Sequence, residues 1–280
     1  MVGRMCRICG VLLLTVAGIV PAVGTSPPRP GEVLIIQDEL PQMKVLAGFL
    51  QENGDLAVTI RDQASLPQDL STYQAVLVFI HKRLQETTER AIIDYTQQGG
   101  RLICLHHSIS RVKAANQFYF GFLGIQLDQG PMAAGGYAYK ASGWSLVNLN
   151  PRHYITSHQV DWGAPVAYTP SDSPSVAGTY PSIRLGDDSE VFLNHKFTDG
   201  REKTVLCGLV YQDKETNRTY LQDRGAWIKE RGRGTIVYLM PGHTASDYQK
   251  KGISQMILNA IRWTPAAVGN REAATPRERI

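Results

Sequence analysis

The chain has 280 residues, of which 43% are hydrophobic and 19% are charged, and its formal net charge is +4. This length suits one large domain with a well-buried core. The small positive charge forms no concentrated basic stretch, so we expect no nucleic-acid partner.

The first 24 residues have the pattern of a secretory signal peptide. Basic residues precede an apolar stretch from Ile8 to Val20, and Ala22-Val23-Gly24 supplies small residues for cleavage. The apolar stretch is too short to span a bilayer comfortably, which disfavours the alternative of an uncleaved anchor. We expect a secreted or periplasmic protein that has no membrane attachment after cleavage. Loss of Arg4 and Arg7 would lower the net charge to +2.

Composition also marks the limits of the mature domain. Residues 25–30 (TSPPRP) are interpreted as a stiff proline-rich leader, residues 31–265 as one α/β domain, and residues 266–280 as a polar, disordered tail. Cys104 and Cys207 lie in apolar segments, which indicates buried thiols and not a disulfide scaffold. One bridge between them after export stays open as an alternative.

The first third of the domain alternates apolar runs with helical patterns. In chain order we predict a strand at Val33–Ile36, a helix ending near Gly54, strands at Ala57–Ile60 and Ala75–Ile80, a helix at Thr88–Gln97 and a strand at Arg101–Leu105. Continuous apolar runs are typical of parallel strands that are covered on both faces. The order predicts an α/β fold with a mostly parallel open sheet flanked by helices, of the flavodoxin-like type.

The middle of the chain is less regular. Between Ala114 and Val205 we expect a helix near Ala114–Leu123, a glycine-rich stretch, short antiparallel strands and long loops around a pocket. Regular patterns return with strands at Val205–Tyr211 and Gly234–Met240 and a final helix at Tyr248–Trp263. The expected fold therefore has an antiparallel, loop-rich middle section.

Two polar clusters directly follow predicted strands. His106-His107-Ser108 comes after the fourth strand, and His243-Thr244 comes after the last. Ligands collect beyond the carboxyl ends of parallel strands, and a histidine there can act as acid, base, metal ligand or hydrogen-bond donor. We therefore expect His106 and His243 to share the working site.

A bound metal is the weaker alternative. The mature chain has no H-x-x-x-H or C-x-x-C pair. Side chains alternate along an extended strand, so if the strand geometry persists past Leu105, His106 and His107 are expected to point in different directions. They are not expected to ligate one metal together. No cofactor is predicted, although a divalent ion held by His106, His243 and Glu190 stays open.

Two enzyme classes lack their motifs. A G-x-S-x-G elbow is absent, and Ser108 follows histidines, which disfavours a serine hydrolase. The glycines of Gly130–Gly136 have no strand-to-helix context, so they do not predict a phosphate-binding loop.

Three segments resemble one known family. GGRLICLHHS (Gly99–Ser108), GRGTIVYLMPGHT (Gly232–Thr244) and the closing IRW (Ile261–Trp263) are similar to the ThuA-like, or trehalose-utilisation, family. The resemblance implies a fold like that of the class I glutamine amidotransferases. In those enzymes a nucleophilic cysteine occupies the sharp turn where this chain has His106, so glutaminase activity is not expected. His243 corresponds to the second catalytic partner.

The resemblance also implies an acid and a substrate class. The family tends to place an acidic residue shortly before an aromatic in its middle region, and Asp188–Phe192 (DSEVF) is similar, which makes Glu190 the acid candidate. Family members are associated with carbohydrate catabolism through 3-keto sugars, whose acidified protons require a base and a donor. We expect acid/base chemistry by His106, His243 and Glu190 on a 3-keto sugar or glycoside derived from trehalose or another disaccharide.

Further side chains are expected to bind the sugar. They are His107, Ser108, Thr244, Tyr137 and Trp144. The two aromatic residues would stack on a sugar ring, with packing in the core as their alternative role. Two other functions stay open: a non-catalytic carbohydrate-binding accessory protein and a metal-assisted glycoside hydrolase. The expected partner is a small carbohydrate, and the sequence leaves the oligomeric state open.

Overall fold

The computed structural model describes residues 29–170 and 177–265. The predicted signal peptide, residues 25–28 of the predicted leader and the predicted tail lie outside the described residues. Within the described part of the chain, no helix combines the length and the apolar character needed to cross a membrane.

Strands make up much of the described chain. They are β1 (Arg29–Gln37), β2 (Ala57–Arg61), β3 (Tyr73–Phe79), β4 (Arg101–Leu105), β5 (Ile125–Leu127), β6 (Ala138–Ala141), β7 (Ser145–Asn148), β8 (Gly163–Tyr168), β9 (Gly178–Arg184), β10 (Glu190–Leu193), β11 (His195–Phe197), β12 (Lys203–Asp213), β13 (Arg218–Arg231) and β14 (Gly234–Leu239). Ten of them form one sheet in the order β2-β1-β3-β4-β14-β13-β12-β7-β9-β8. The other four form two antiparallel ribbons, β10–β6 and β11–β5.

Helices pack in two groups beside the sheet. They are α1 (Leu40–Gly54), α2 (Glu86–Gln97), α3 (Tyr119–Leu123), α4 (Tyr154–Ser157), α5 (Ala245–Gln249) and α6 (Lys251–Arg262). Helices α1, α5 and α6 contact one another, while α2 lies against β4, β14 and α3. The predicted final helix is divided into α5 and α6 at Lys250, whose extended backbone ends the first segment.

One half of the main sheet is parallel, as predicted. Strands β2, β1, β3, β4 and β14 are neighbours with the same direction. The apolar runs Val33–Ile36, Ala75–Ile80 and Leu102–Leu105 are fully buried, which is the burial that continuous apolar strands require. Strand β14 pairs with β4 from Thr235↔Arg101 to Leu239↔Leu105, so the carboxyl ends of these two strands lie side by side.

The other half of the sheet is antiparallel. Strands β13, β12, β7, β9 and β8 pair in succession, and β13 joins them to β14. Because the chain forms β5 to β13 between β4 and β14, we call residues 125–231 the antiparallel insertion. The 14-residue strand β13 was not predicted, and β12 extends beyond the predicted Val205–Tyr211 at both ends.

The predicted helix near Ala114–Leu123 is shorter than expected. A 3-10 turn covers Arg111–Ala115, and α3 begins only at Tyr119. Between them, the Asn116 side chain accepts from Leu84 N–H and donates to the Leu84 carbonyl oxygen. These two tertiary hydrogen bonds fix the backbone outside the helical path.

Cys104 and Cys207 are free and buried, as the apolar context predicted. Burial raises the pKa of the Cys104 thiol to about 12. The alternative of a bridge between Cys104 and Cys207 is not found.

Candidate functional site

His106 occupies the sharp turn that ends β4. Its backbone φ is +39°, a left-handed conformation that side chains with a Cβ rarely adopt and that tends to mark functional positions. The chain continues as a 3-10 turn over His106–Ile109. Ser108 Oγ donates to the carbonyl oxygens of Val78 and Leu105, at 2.9 Å each, and holds this turn against β3.

His243 lies in the loop between β14 and α5. Asp247 Oδ2 accepts the backbone N–H groups of Gly242, at 3.1 Å, and His243, at 3.0 Å. The same oxygen accepts the Ser189 hydroxyl at 2.8 Å. Asp247 therefore fastens the His243 loop to the residue that precedes Glu190.

Glu190 begins β10 and reaches this edge of the sheet from the antiparallel insertion. Its Oε2 atom lies 3.3 Å from His106 Nε2, 3.5 Å from His107 Nε2 and 3.6 Å from His243 Nδ1. The glutamate side chain is 9% exposed and that of His243 is 31% exposed. We call these four residues the His–Glu cluster. The structure thus brings together the three predicted catalytic residues and the predicted binding residue His107.

The prediction that His106 and His107 point in different directions is wrong. Their ring centroids are 4.3 Å apart, and both Nε2 atoms approach the same carboxylate oxygen. The left-handed φ of His106 ends the extended geometry at once, so the alternation of a strand does not apply to these residues. One potential ligand atom from each cluster member lies within 4.8 Å of all the others, so a shared cation is sterically feasible.

Burial dominates the electrostatics of the cluster. It lowers the pKa of His106, and it lowers that of His107 to about 4, so both rings are neutral near pH 7. Burial alone would raise the pKa of Glu190, but the contacts with His106 and His107 outweigh it and hold that pKa below its ordinary value. The cluster therefore carries an ionised carboxylate beside two uncharged imidazoles.

Aromatic side chains line one side of the cluster. Phe192 lies 4.7 Å from His106 between ring centroids, and Tyr137 stacks on Phe192 at 6.1 Å. Burial, followed by the charge of Glu190, raises the pKa of the Tyr137 hydroxyl, so the phenol stays protonated. Tyr137 thus lies near the cluster, but its side chain and its hydroxyl are buried, so a role in binding the sugar stays a prediction.

The other predicted binding residues differ in their surroundings. Trp144 is fully buried, and its Nε1 donates to Ser189 Oγ at 3.3 Å, which matches the alternative role of packing in the core. Ser108 is also fully buried and holds its own turn. Neither side chain presents an exposed atom to a sugar. Thr244 Oγ1 donates to Asp188 Oδ2 at 3.3 Å and is partly exposed near His243.

Sequence reasoning missed two polar residues at the ends of other strands. Glu39 follows β1 and His81 follows β3, and their side chains meet at 3.1 Å between His81 Nδ1 and Glu39 Oε1. The His81 ring also stacks on His107, with centroids 4.2 Å apart. The strand-end rule that identified His106 would have found both residues if it had been applied to every parallel strand.

Comparison with known proteins places this fold in a family. The model of the ThuA family, described as trehalose utilisation, matches residues 35–264. The chain belongs to the ThuA family. The sequence resemblance is thereby confirmed, and membership supports a carbohydrate-related role for this ThuA-family chain. None of the curated proteins compared with it matches.

Solved structures share the architecture at low identity. A ThuA-like protein from Bacteroides uniformis ATCC 8492 is 15% identical, with a TM-score of 0.54 over 87% of this chain and 94% of that one. This likeness shows a common fold. A β-galactosidase from Rahnella sp. R3 has a TM-score of 0.47 and 15% identity over 79% of this chain and 30% of the other. A glutamine amidotransferase from Thermotoga maritima has a TM-score of 0.44 and 10% identity over 82% and 96%.

Proposed function

We propose that this protein is an exported enzyme of carbohydrate catabolism that moves a proton next to the carbonyl group of a 3-keto sugar or 3-keto glycoside. The observation that carries the proposal is the position of the Glu190 carboxylate, within 3.3 to 3.6 Å of three imidazole nitrogens where β4 and β14 end. Membership of a family described by trehalose utilisation supports a sugar as the substrate.

The chemistry requires a base and a group that stabilises an enediolate. A carboxylate kept ionised by its neighbours, as Glu190 is, can accept a proton from the carbon beside the carbonyl. The partly exposed His243 is the member of the cluster that an incoming sugar meets most readily, and it is suited to contact the sugar oxygen. His106 is fully buried and is suited to orient Glu190.

Thioester chemistry of the amidotransferase type has no nucleophile here. His106 stands in the turn after β4, where a catalytic cysteine would be expected. Cys104 lies inside β4, and its thiol, with a pKa of about 12, is protonated at neutral pH. The cluster is therefore suited to proton transfer and not to amide hydrolysis through a thioester.

Hydrogen exchange in heavy water tests this proposal. The purified mature protein is incubated with a 3-keto disaccharide, such as the 3-keto form of trehalose, and deuterium is followed by NMR. We expect deuterium at the carbon beside the carbonyl, with a rate at least about 100-fold lower in Glu190→Gln. Glu215→Gln, at a glutamate whose side chain is 80% exposed, is the matched control.

Other outcomes of this experiment identify the alternatives. Binding of the sugar without exchange or cleavage would assign the chain an accessory carbohydrate-binding role. Cleavage without exchange would indicate a glycoside hydrolase. If the protein neither binds nor converts any sugar in a panel of keto and ordinary disaccharides, the carbohydrate proposal is overturned.

Export is tested separately. The full-length chain with a C-terminal tag is expressed in a Gram-negative host, and the processed form is recovered from the periplasm or medium. N-terminal sequencing is expected to begin at Thr25, after Ala22-Val23-Gly24. An unprocessed chain confined to the cytosol would contradict export without affecting the proposed chemistry.

A further inference from the structure

We propose that the His–Glu cluster binds one divalent transition-metal ion of the zinc class, through His106 Nε2, His107 Nε2, His243 Nδ1 and Glu190 Oε2. The site itself is inferred from the geometry of these four side chains. Its catalytic consequence rests on the function proposed above, because the ion would supply the electrophile of the same reaction.

The hydrogen bonding of His106 is the first argument. Its Nδ1 atom lies 2.6 Å from the carbonyl oxygen of Met240, and a carbonyl only accepts, so this nitrogen carries the hydrogen. The neutral ring then directs a lone pair from Nε2 towards the Glu190 carboxylate, 3.3 Å away. Two acceptors in this arrangement repel each other unless a proton or a metal ion lies between them.

The unpaired polar atoms are the second argument. Within the described residues, His106 Nε2 and His243 Nδ1 are buried and have no hydrogen-bond partner of acceptable geometry. Leaving such atoms unpaired costs roughly 1 to 3 kcal/mol each. Both atoms approach Glu190 Oε2, so a single ion would satisfy both nitrogens and the carboxylate.

The distances are the third argument. Bonds of about 2.1 Å to a tetrahedral ion place neighbouring ligand atoms about 3.4 Å apart. The three separations from Glu190 Oε2, at 3.3, 3.5 and 3.6 Å, bracket this value. Three imidazole nitrogens and one carboxylate oxygen favour zinc and its neighbours over calcium or magnesium, which prefer oxygen ligands.

Groups behind the ligands support the assignment. The Met240 carbonyl accepts from the far nitrogen of His106, an arrangement that commonly fixes the tautomer of a metal-binding histidine. Asp247 holds the backbone of His243. Because the four side chains fill the tetrahedral positions of such an ion, it would polarise a sugar carbonyl only by expanding to a fifth coordination position.

A second group of potential ligands shares one histidine with the cluster. Glu39, His81 and His107 also place ligand atoms within 4.8 Å of one another. However, the side chains of His81 and Glu39 are 57% and 32% exposed, so water already satisfies much of their polar surface. The buried cluster has the stronger requirement for an ion, and His81→Ala is therefore the matched control.

The experiment measures metal binding directly. The mature protein is stripped with a chelator, dialysed and titrated with zinc chloride by calorimetry, and Co²⁺ loading is followed by visible absorption. We expect one ion per chain and a Kd at least about 100-fold weaker in His106→Ala and in Glu190→Gln, because each removes a ligand. Circular dichroism checks that each variant folds, and His107→Gln replaces any variant that does not.

The outcomes separate the metal site from the proposed reaction. If the wild type binds no zinc, or if it and all cluster variants bind zinc with equal affinity, the proposed metal site is overturned. If only His81→Ala loses zinc binding, the ion binds at the second group and the proposed site is overturned as well. If one ion binds at the cluster but no keto sugar exchanges deuterium, the site stands and the proposed function fails. If metal-free protein exchanges deuterium at the full rate, the proposed function stands and the catalytic role of the ion is overturned.

Discussion

The parallel half of the sheet and the antiparallel insertion contribute differently to the His–Glu cluster. His106, His107 and His243 follow β4 and β14, which pair directly within the parallel half. Glu190 comes from the insertion, through the β10–β6 ribbon. The paired parallel strands therefore set the positions of the three imidazoles. The negative charge of the cluster, on Glu190, depends on how the antiparallel insertion packs against those strands.

A substitution in the core of the antiparallel insertion tests whether the two regions fold together. Leu146 is fully buried in β7, and Leu146→Ala should lower the free energy of unfolding by about 2 to 5 kcal/mol. Strand β13 pairs with β14 along the whole length of β14 and so joins the two regions. We therefore expect Leu146→Ala to unfold in one transition, at a lower temperature than the wild type, in differential scanning calorimetry. Val112→Ala, at a residue that is 44% exposed, should change little. A second transition that appears only in Leu146→Ala would show that the insertion unfolds alone.

A smaller change separates docking from folding. Ser189 donates to Asp247 and so links the residue before Glu190 to the His243 loop. Ser189→Ala should weaken zinc affinity and slow deuterium exchange by about 10- to 100-fold, because the ligands remain but are less well oriented. It should lower the free energy of unfolding by only about 1 to 3 kcal/mol, because Trp144 Nε1 and Asp247 lose a buried partner while the fold is kept. Ser182→Ala removes a hydroxyl that bonds Ala164 elsewhere in the insertion, and is the control. Equal activity in both variants would contradict a positioning role for Ser189.

The smallest effect concerns acid stability at α4, away from the cluster. His153 accepts the Ile155 N–H as the cap of this helix, and burial lowers its pKa to about 4. The unfolded chain, with a histidine pKa near 6.5, binds the proton first, so stability is complete above about pH 6.5 and falls as the pH drops towards 4. His153→Asn keeps a capping oxygen and cannot titrate. Between pH 6.5 and 4 its free energy of unfolding should therefore fall by roughly 1 to 2 kcal/mol less than that of the wild type.

Urea unfolding at several pH values measures this difference. At pH 8 the histidine is neutral in both states, so the comparison there isolates the effect of the substitution itself. Identical pH dependence of wild type and His153→Asn between pH 4 and 6.5 would show that His153 makes no contribution to acid stability.

The two regions also differed in how far the sequence predicted them. The parallel strands are covered on both faces, so their uninterrupted apolar runs were visible, and β4 was predicted with its observed bounds at Arg101–Leu105. Strand β13 was not predicted, because charged residues interrupt its pattern. One of them, Lys229, is buried in the structure, where it donates to Asp199 and to the carbonyl of Gly124. Partners so distant in sequence cannot be inferred from local pattern.

The candidate site shows the same limit. His106 and His243 were identified because strand ends can be located from apolar runs. Glu190 was suggested only through family resemblance, since nothing in its own segment reveals that the β10–β6 ribbon reaches the edge of the sheet. The position of His107 was mispredicted because the left-handed backbone of His106 depends on the packing of its turn.

The pairing of β4 with β14 has a consequence for biosynthesis. The hydrogen bond between His106 and Met240 joins residues that are 134 positions apart. A ribosome must therefore release almost the entire domain before the three histidines can meet, and such long-range parallel pairing is slow to form. The cluster can therefore bind an ion or a sugar only after translation is nearly complete, and nascent or truncated chains should not bind either one.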